Sequence, residues 1–253
     1  MGPASFPAGA GVDVPPHPHM GLQTVTWLFE GTAVHRDSLG SEQRIRPGEL
    51  NLMTAGAGIA HAEEDPGGPG GTLHGVQLWV AQPEATRWGP PAFEHHAELP
   101  RVSLDHGVAT VLVGPALGAT SPARCDTGHV GLELDLRRGC SVLPLDPTHE
   151  YAVVLAEGTA ALDATVVGPG RLAYLAPGRD ELAVTVDAPA RALLLGGAPF
   201  DEPVAMWWNF VARSRDELTA AYRDWTSGDE RFGVVASASA RTEVGPPPWA
   251  ARG

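Results

Sequence analysis

Short apolar-rich segments separated by turn signals run through the first 200 residues of this chain. Residues 22–34 (LQTVTWLFEGTAV) are rich in β-branched and aromatic side chains and break at Glu30-Gly31. His35-Arg-Asp-Ser-Leu-Gly-Ser follows and reads as a polar loop. Residues 44–56 (RIRPGELNLMTAG) read as a strand interrupted at Pro47-Gly48. A Gly/Pro loop at 66–71 leads into 73–83 (LHGVQLWVAQP), which alternates apolar and polar in strand fashion. A second β-rich stretch covers about 108–197.

The two stretches are related. Arg46–Gly56 aligns with Gly168–Gly178 at an offset of 122, and LQTVTWLFEG (22–31) aligns with HEYAVVLAEG (149–158) at an offset of 127. Loop-length changes account for the five-residue difference, and two copies of one β sandwich are expected. The pattern changes after residue 200. Ser214 and Glu217 have capping-box spacing, Leu218, Ala221, Tyr222 and Trp225 recur at helical spacing, and Gly228 supplies a stop. This predicts one amphipathic helix over about 215–226 whose apolar stripe is a packing face. The last dozen residues are expected to be poorly ordered or to hug the surface.

Composition narrows the function. The 253 residues include 17 basic side chains, every one of them arginine, against 30 acidic ones, a formal charge of −13. Nucleic-acid affinity comes from clustered cations, so direct nucleic-acid binding is not expected. No apolar run is long enough to span a membrane, and the start lacks the basic and apolar regions of a signal peptide. Cys125 and Cys140 stand in no metal-type spacing and read as a reduced pair, which implies a cytoplasmic protein.

Two short motifs carry chemistry. In Pro15-Pro-His17-Pro-His19, two histidines one residue apart on an extended segment face the same side. A pair of surface histidines flanked by prolines is the bland alternative. His61-Ala-Glu63 repeats the spacing just after TAGAGIA, where glycines allow a tight turn. Together His17, His19, His61 and Glu63 supply three imidazoles and a carboxylate. That set suits one divalent transition metal, Fe(II) or else Zn, Ni, Cu, Co or Mn, and leaves two octahedral positions open. His35 and His74 lie near the site in sequence and read as structural groups, with an outer donor or pocket wall as the alternative; His95-His96 reads as surface and Trp207-Trp208 as interdomain packing. No nucleophile elbow, P-loop or dinucleotide fingerprint is present.

The run HPHMGLQTVTWLFEGTAVHRDSLGSEQRIRPGELNLMTAGAGIAHAEE (17–64), with HGVQLWV (74–80) and APFDEPVAMWWNFVARSRDEL (198–218), resembles the pirin family of bicupins. The resemblance implies an all-β protein of two jelly-roll (cupin) β-sandwich domains with a short C-terminal helix. The implied domains are a metal-binding cupin over 1–105, a cupin without metal ligands over 106–200, and a strand, helix and tail over 201–253 packing on the core. It implies one metal, usually iron, on His17, His19, His61 and Glu63. It also implies either a quercetin 2,3-dioxygenase-type reaction on a flavonol or related enol with O2, or a non-catalytic iron sensor and transcriptional co-regulator acting through protein partners. In the first reading Glu63 doubles as the catalytic base, and apolar inner faces exclude water. A structural metal is a weaker third reading, since neither cysteine is near the set.

Three departures from the family pattern stand out. Gln23 occupies the position where the general cupin motif places a glutamate ligand. Only 16 residues precede His17, so either the chain starts further upstream or the first sandwich is short of edge strands. At offset 127, His17 and His19 fall on Pro144 and Asp146. At offset 122, His61 and Glu63 fall on Ala183 and Thr185, so metal is expected in the N-terminal cupin alone.

Overall fold

A computed structural model describes residues 2–65 and 70–250. Four residues of the expected loop at 66–71 therefore lie outside the described residues. Two compact units divide the chain: Met1–Ala97 together with Glu202–Gly253, and Glu98–Asp201. Each is built on a pair of antiparallel sheets, and the one α-helix among the described residues belongs to the first. The fold is all-β with two cupin sandwiches.

The first unit opens with nine strands: β1 (Ala4–Phe6), β2 (Asp13–His19), β3 (Leu22–Glu30), β4 (Ala33–Asp37), β5 (Glu42–Ile45), β6 (Leu50–Thr54), β7 (Ile59–Glu64), β8 (Gly71–Ala81) and β9 (Ala92–His96). They form a five-stranded sheet in the order β1-β8-β3-β6-β9 and a four-stranded sheet in the order β2-β7-β4-β5. The reading of His35-Arg-Asp as loop is corrected here. These three residues are the end of β4, paired with Glu63, Ala62 and His61 of β7. Their polarity suggested a loop, but the face they complete is itself polar.

In the second unit, strands at 101–104, 107–113, 130–136, 190–197, 150–157 and 172–175 pair in that order, and strands at 139–144, 181–186, 160–162 and 165–167 make the other sheet. The internal repeat survives as register. Thr24 lies opposite Met53 in the first copy, and the offsets of 127 and 122 carry that pair onto Tyr151 opposite Leu175, which is the observed pairing. The site positions need a one-residue correction. Ala183 and Thr185 sit on the outer side of their strand, while Leu182 and Val184 are buried with Leu143 in the core. Where the first cupin carries histidines, the second is filled by Leu and Val, which is ordinary sandwich packing.

After residue 202 the chain completes the first unit. A hairpin of Ala205–Trp207 and Phe210–Ala212 leads to α1 (Arg215–Ser227). Ser214 caps it by accepting from the Glu217 amide at 3.2 Å, and Gly228 ends it with φ of 77°. The Glu217 carboxylate does not return to the cap; it takes Arg87 at 2.7 Å and the Arg213 amide at 3.1 Å. Leu218, Ala221 and Trp225 are buried with Met20, Ala60, Phe210 and Phe232, so the stripe is a packing face. Trp207 and Trp208 meet the rings of Phe210, Tyr222, Trp225 and Trp249, all in this same unit. The tail hugs the surface, with the Trp249 indole donating to Thr219 Oγ1 at 3.0 Å.

Candidate metal centre

Strand β2 is an edge strand, which is where a Pro-Pro pair is tolerated, because proline offers no N–H to a ladder. Val14 lies opposite Glu63 and His17 opposite His61, so Pro15 and Pro16 together face only Ala62. This bulge re-aims the strand and sets His17 directly across from His61. On the other side of β7, Asp37 lies opposite His61 and His35 opposite Glu63. With a side-chain period of two, His17, His19, His61, Glu63, His35 and Asp37 share the inner face.

The structure draws three of the four expected ligands together. Ligand nitrogens of His17, His19 and His61 all lie within 4.8 Å of one another, and all three residues are buried. Glu63 stands outside that group. Its Oε1 accepts from Gln77 Nε2 at 2.7 Å and from Thr26 at 3.4 Å. His19 Nε2 and His61 Nε2 face each other at 3.1 Å. Two nitrogens each about 2.1 Å from one ion, at a right angle, would stand about 3 Å apart, so the donor set fits a single transition metal.

The remaining nitrogens are tethered. His17 Nδ1 meets the Pro15 carbonyl at 2.8 Å and His19 Nδ1 the Asn209 carbonyl at 3.2 Å. His61 Nδ1 meets His35 Nδ1 at 3.3 Å, and His35 Nε2 meets Asp37 Oδ2 at 3.1 Å. Burial, reinforced by neighbouring histidines, pushes the pKa of His19 and of His61 well below the ordinary imidazole value, and burial lowers His17 as well. Neutral imidazole is the form that binds a metal. Burial raises the Glu63 carboxyl, against the pull of His35, Gln77 and Thr26.

The opposite sheet is not the apolar wall expected from sequence. Strand β3 turns Thr26 inward, and the buried Thr24 shares its face. Trp79, 39% exposed, sets its ring edge-on to His19 at 5.1 Å. Gln23 takes no part in the cluster and donates to Thr54 Oγ1 at 2.9 Å. His74 packs on Phe29, and His95 bonds Asn51. The sequence reading missed Asp37 as a member of the site and ranked His35 as a structural group ahead of an outer donor. Their signal was the same i, i+2 spacing that marked the other two pairs.

The C-terminal segment braces β2. The Val211 amide donates to Met20 O at 2.9 Å and the Thr242 amide to Pro16 O at 2.7 Å, while Asn209 holds His19.

Comparison with known proteins agrees with this architecture. The family model described as Pirin matches residues 1–80, and the Pirin C-terminal cupin domain matches 132–233. A Pseudomonas aeruginosa protein provisionally named a quercetin 2,3-dioxygenase is 45% identical over 98% of this chain and 79% of its own length. A pirin-like protein of Caulobacter vibrioides is 37% identical over 90% of this chain and 81% of its own. Among solved structures, a quercetin 2,3-dioxygenase from Acinetobacter baumannii superposes with a TM-score of 0.94 at 44% identity, covering 98% of this chain and 83% of that one. A paired cupin with three converging histidines, matched by both family models and by relatives along nearly its whole length, belongs to the pirin family.

Proposed function

We propose that this chain is a metal-dependent dioxygenase that binds Fe(II) on His17, His19, His61 and Glu63 and cleaves a quercetin-like flavonol or a related enol with O2. The observation that carries the reading is the convergence of three buried imidazoles, whose pKa values burial lowers, on the same face as a carboxylate whose pKa burial raises. The relatives named for quercetin 2,3-dioxygenase lend it support.

When bound, the metal supplies Lewis acidity and a template that orients an acidic hydroxyl beside O2. The chain's own residues do the rest. The three histidines would hold the ion, and Glu63, the next inward-facing residue along β7 after His61, would be the fourth donor. Glu63 also accepts the substrate hydroxyl proton at its carboxylate, for which a raised pKa suits it. Gln77 and Thr26 fix that carboxylate from the facing sheet. The exposed Trp79 ring offers a flat surface for an aromatic substrate. Cys125 and Cys140 are free thiols, which suit a reducing compartment, and we assign the protein to the cytoplasm.

The test is anaerobic reconstitution with Fe(II), followed by O2 uptake with and without quercetin. Quercetin-dependent uptake that disappears in His61→Ala is the expected result, and Glu63→Gln should retain substrate binding while losing turnover. Stoichiometric iron binding with no turnover of any flavonol or enol would sink the enzymatic reading and leave a metal-state sensor.

A further inference from the structure

Each site histidine carries one hydrogen when neutral, and the tethers decide which nitrogen bears it. A main-chain carbonyl only accepts, so the carbonyls of Pro15 and Asn209 hold His17 and His19 with hydrogen on Nδ1 and a bare Nε2. His61 has no such carbonyl. Its Nδ1 meets another imidazole, His35, and an imidazole nitrogen can either give or take.

What resolves the ambiguity is Asp37. Its Oδ1 accepts from the Leu39 amide at 2.9 Å and the Ser41 amide at 3.0 Å, which leaves Oδ2 for His35 Nε2 at 3.1 Å. A carboxylate accepts only, so His35 Nε2 donates, and in a neutral His35 the other nitrogen, Nδ1, is bare. His61 Nδ1 is then the donor across the 3.3 Å contact, and its bare Nε2 faces the bare His19 Nε2 at 3.1 Å, two lone pairs that an ion between them would satisfy. Phe93 stacks on His35 at 4.3 Å with an interplanar angle of 11° and fixes the ring plane in which these bonds lie. All three residues of the chain Asp37, His35 and His61 are buried, so water does not compete for the bonds.

We propose that His35 and Asp37 are positioning residues: a buried relay that selects the Nδ1–H tautomer of His61 and so presents its Nε2 to the ion. The assignment rests on the metal-site reading for its purpose, and the tautomer is read on the metal-free chain at a pH where His35 is neutral. Such outer partners typically govern metal affinity by about 10–100-fold.

Asp37→Asn is the discriminating variant, because it keeps the shape and removes one acceptor. The Asn carbonyl oxygen stays with the Leu39 and Ser41 amides, and its NH2 turns to His35. That reverses His35, whose Nδ1–H then donates to His61 Nδ1 and moves the His61 hydrogen to Nε2. The experiment is a long-range 1H–15N spectrum of the full, metal-free chain labelled at histidine, with His61 assigned by its loss in His61→Ala, alongside Ni(II) titration. The expected results are Nδ1–H at His61 in the wild type, Nε2–H in Asp37→Asn, and Ni(II) affinity lowered by about 10–100-fold. His35→Gln, whose amide oxygen can still accept, should keep the wild-type tautomer and bind Ni(II) more tightly than His35→Leu. An Nε2–H at His61 in the wild type overturns the proposal, and so does an Asp37→Asn protein with unchanged tautomer and affinity. Failure of the wild type to bind Ni(II) at all would instead overturn the metal reading, while the spectrum still judges the relay.

Discussion

At the scale of single residues, the buried histidines make stability depend on pH. His17, His19 and His61 have native pKa values below the ordinary one, chiefly through burial, so the native state resists protons that the unfolded chain takes up. The unfolded chain binds more protons once the pH falls below about 6.5, and stability drops from there downward. Glu63 has the opposite sign in a lower window. Its raised native pKa means stability falls as pH rises from the unfolded carboxyl value through the native one. Three groups outweigh one. Urea denaturation of the metal-free protein should therefore show lower stability at pH 5.5 than at 7.5, with a shallower slope in His61→Ala. Ni(II) at 100 times its Kd should add about 2.7 kcal/mol at pH 7.5, since an ion that binds only the native state shifts the equilibrium by mass action.

At the scale of elements, what the sequence showed and what it hid have one cause. The periodicity of β3, β6 and β8 was legible because one of their faces is apolar and the turns between them carry Gly or Pro. His35-Arg-Asp was not, because its strand presents histidine and aspartate to an interior that is itself polar, and a hydrophobic pattern assumes an apolar inside. His17 and His19 were legible from spacing alone, but their tether was not: Asn209 lies 190 residues away from His19. That tether is open to test. Gly21 has φ of +72°, and a Cβ there would come within 2.2 Å of the Val211 carbonyl oxygen, forcing the C-terminal hairpin away from β2. Gly40 has φ of +88° with nothing within 4 Å of its Cβ. Both alanine variants carry backbone strain of about 1–3 kcal/mol. Only Gly21→Ala should also weaken Ni(II) binding, and equal affinities in the two variants would show that the hairpin does not hold the site.

At the scale of the whole molecule, duplication has produced one sandwich with a polar interior and one with an apolar core. The repeat was visible in sequence down to strand register, yet counting residues misplaced the second copy's equivalents by one, because loop lengths alter the offset locally. Leu143, Leu182 and Val184 fill the second interior and offer no donor atoms. Metal titration should accordingly saturate at one ion per chain, and His61→Ala should abolish the binding rather than reduce it to a residual second site.

The first unit is discontinuous: residues up to 97 and residues from 202 onward belong together, with the second sandwich synthesised between them. The clustered histidines thus leave the ribosome well before Asn209, Val211 and Thr242, which hold their strand in place. A nascent chain can pair β2 with β7 while His17 and His19 still lack these C-terminal tethers. Any ion that these histidines take up would therefore reach its final setting only once residues 209–242 have been made and have folded back onto the first sandwich.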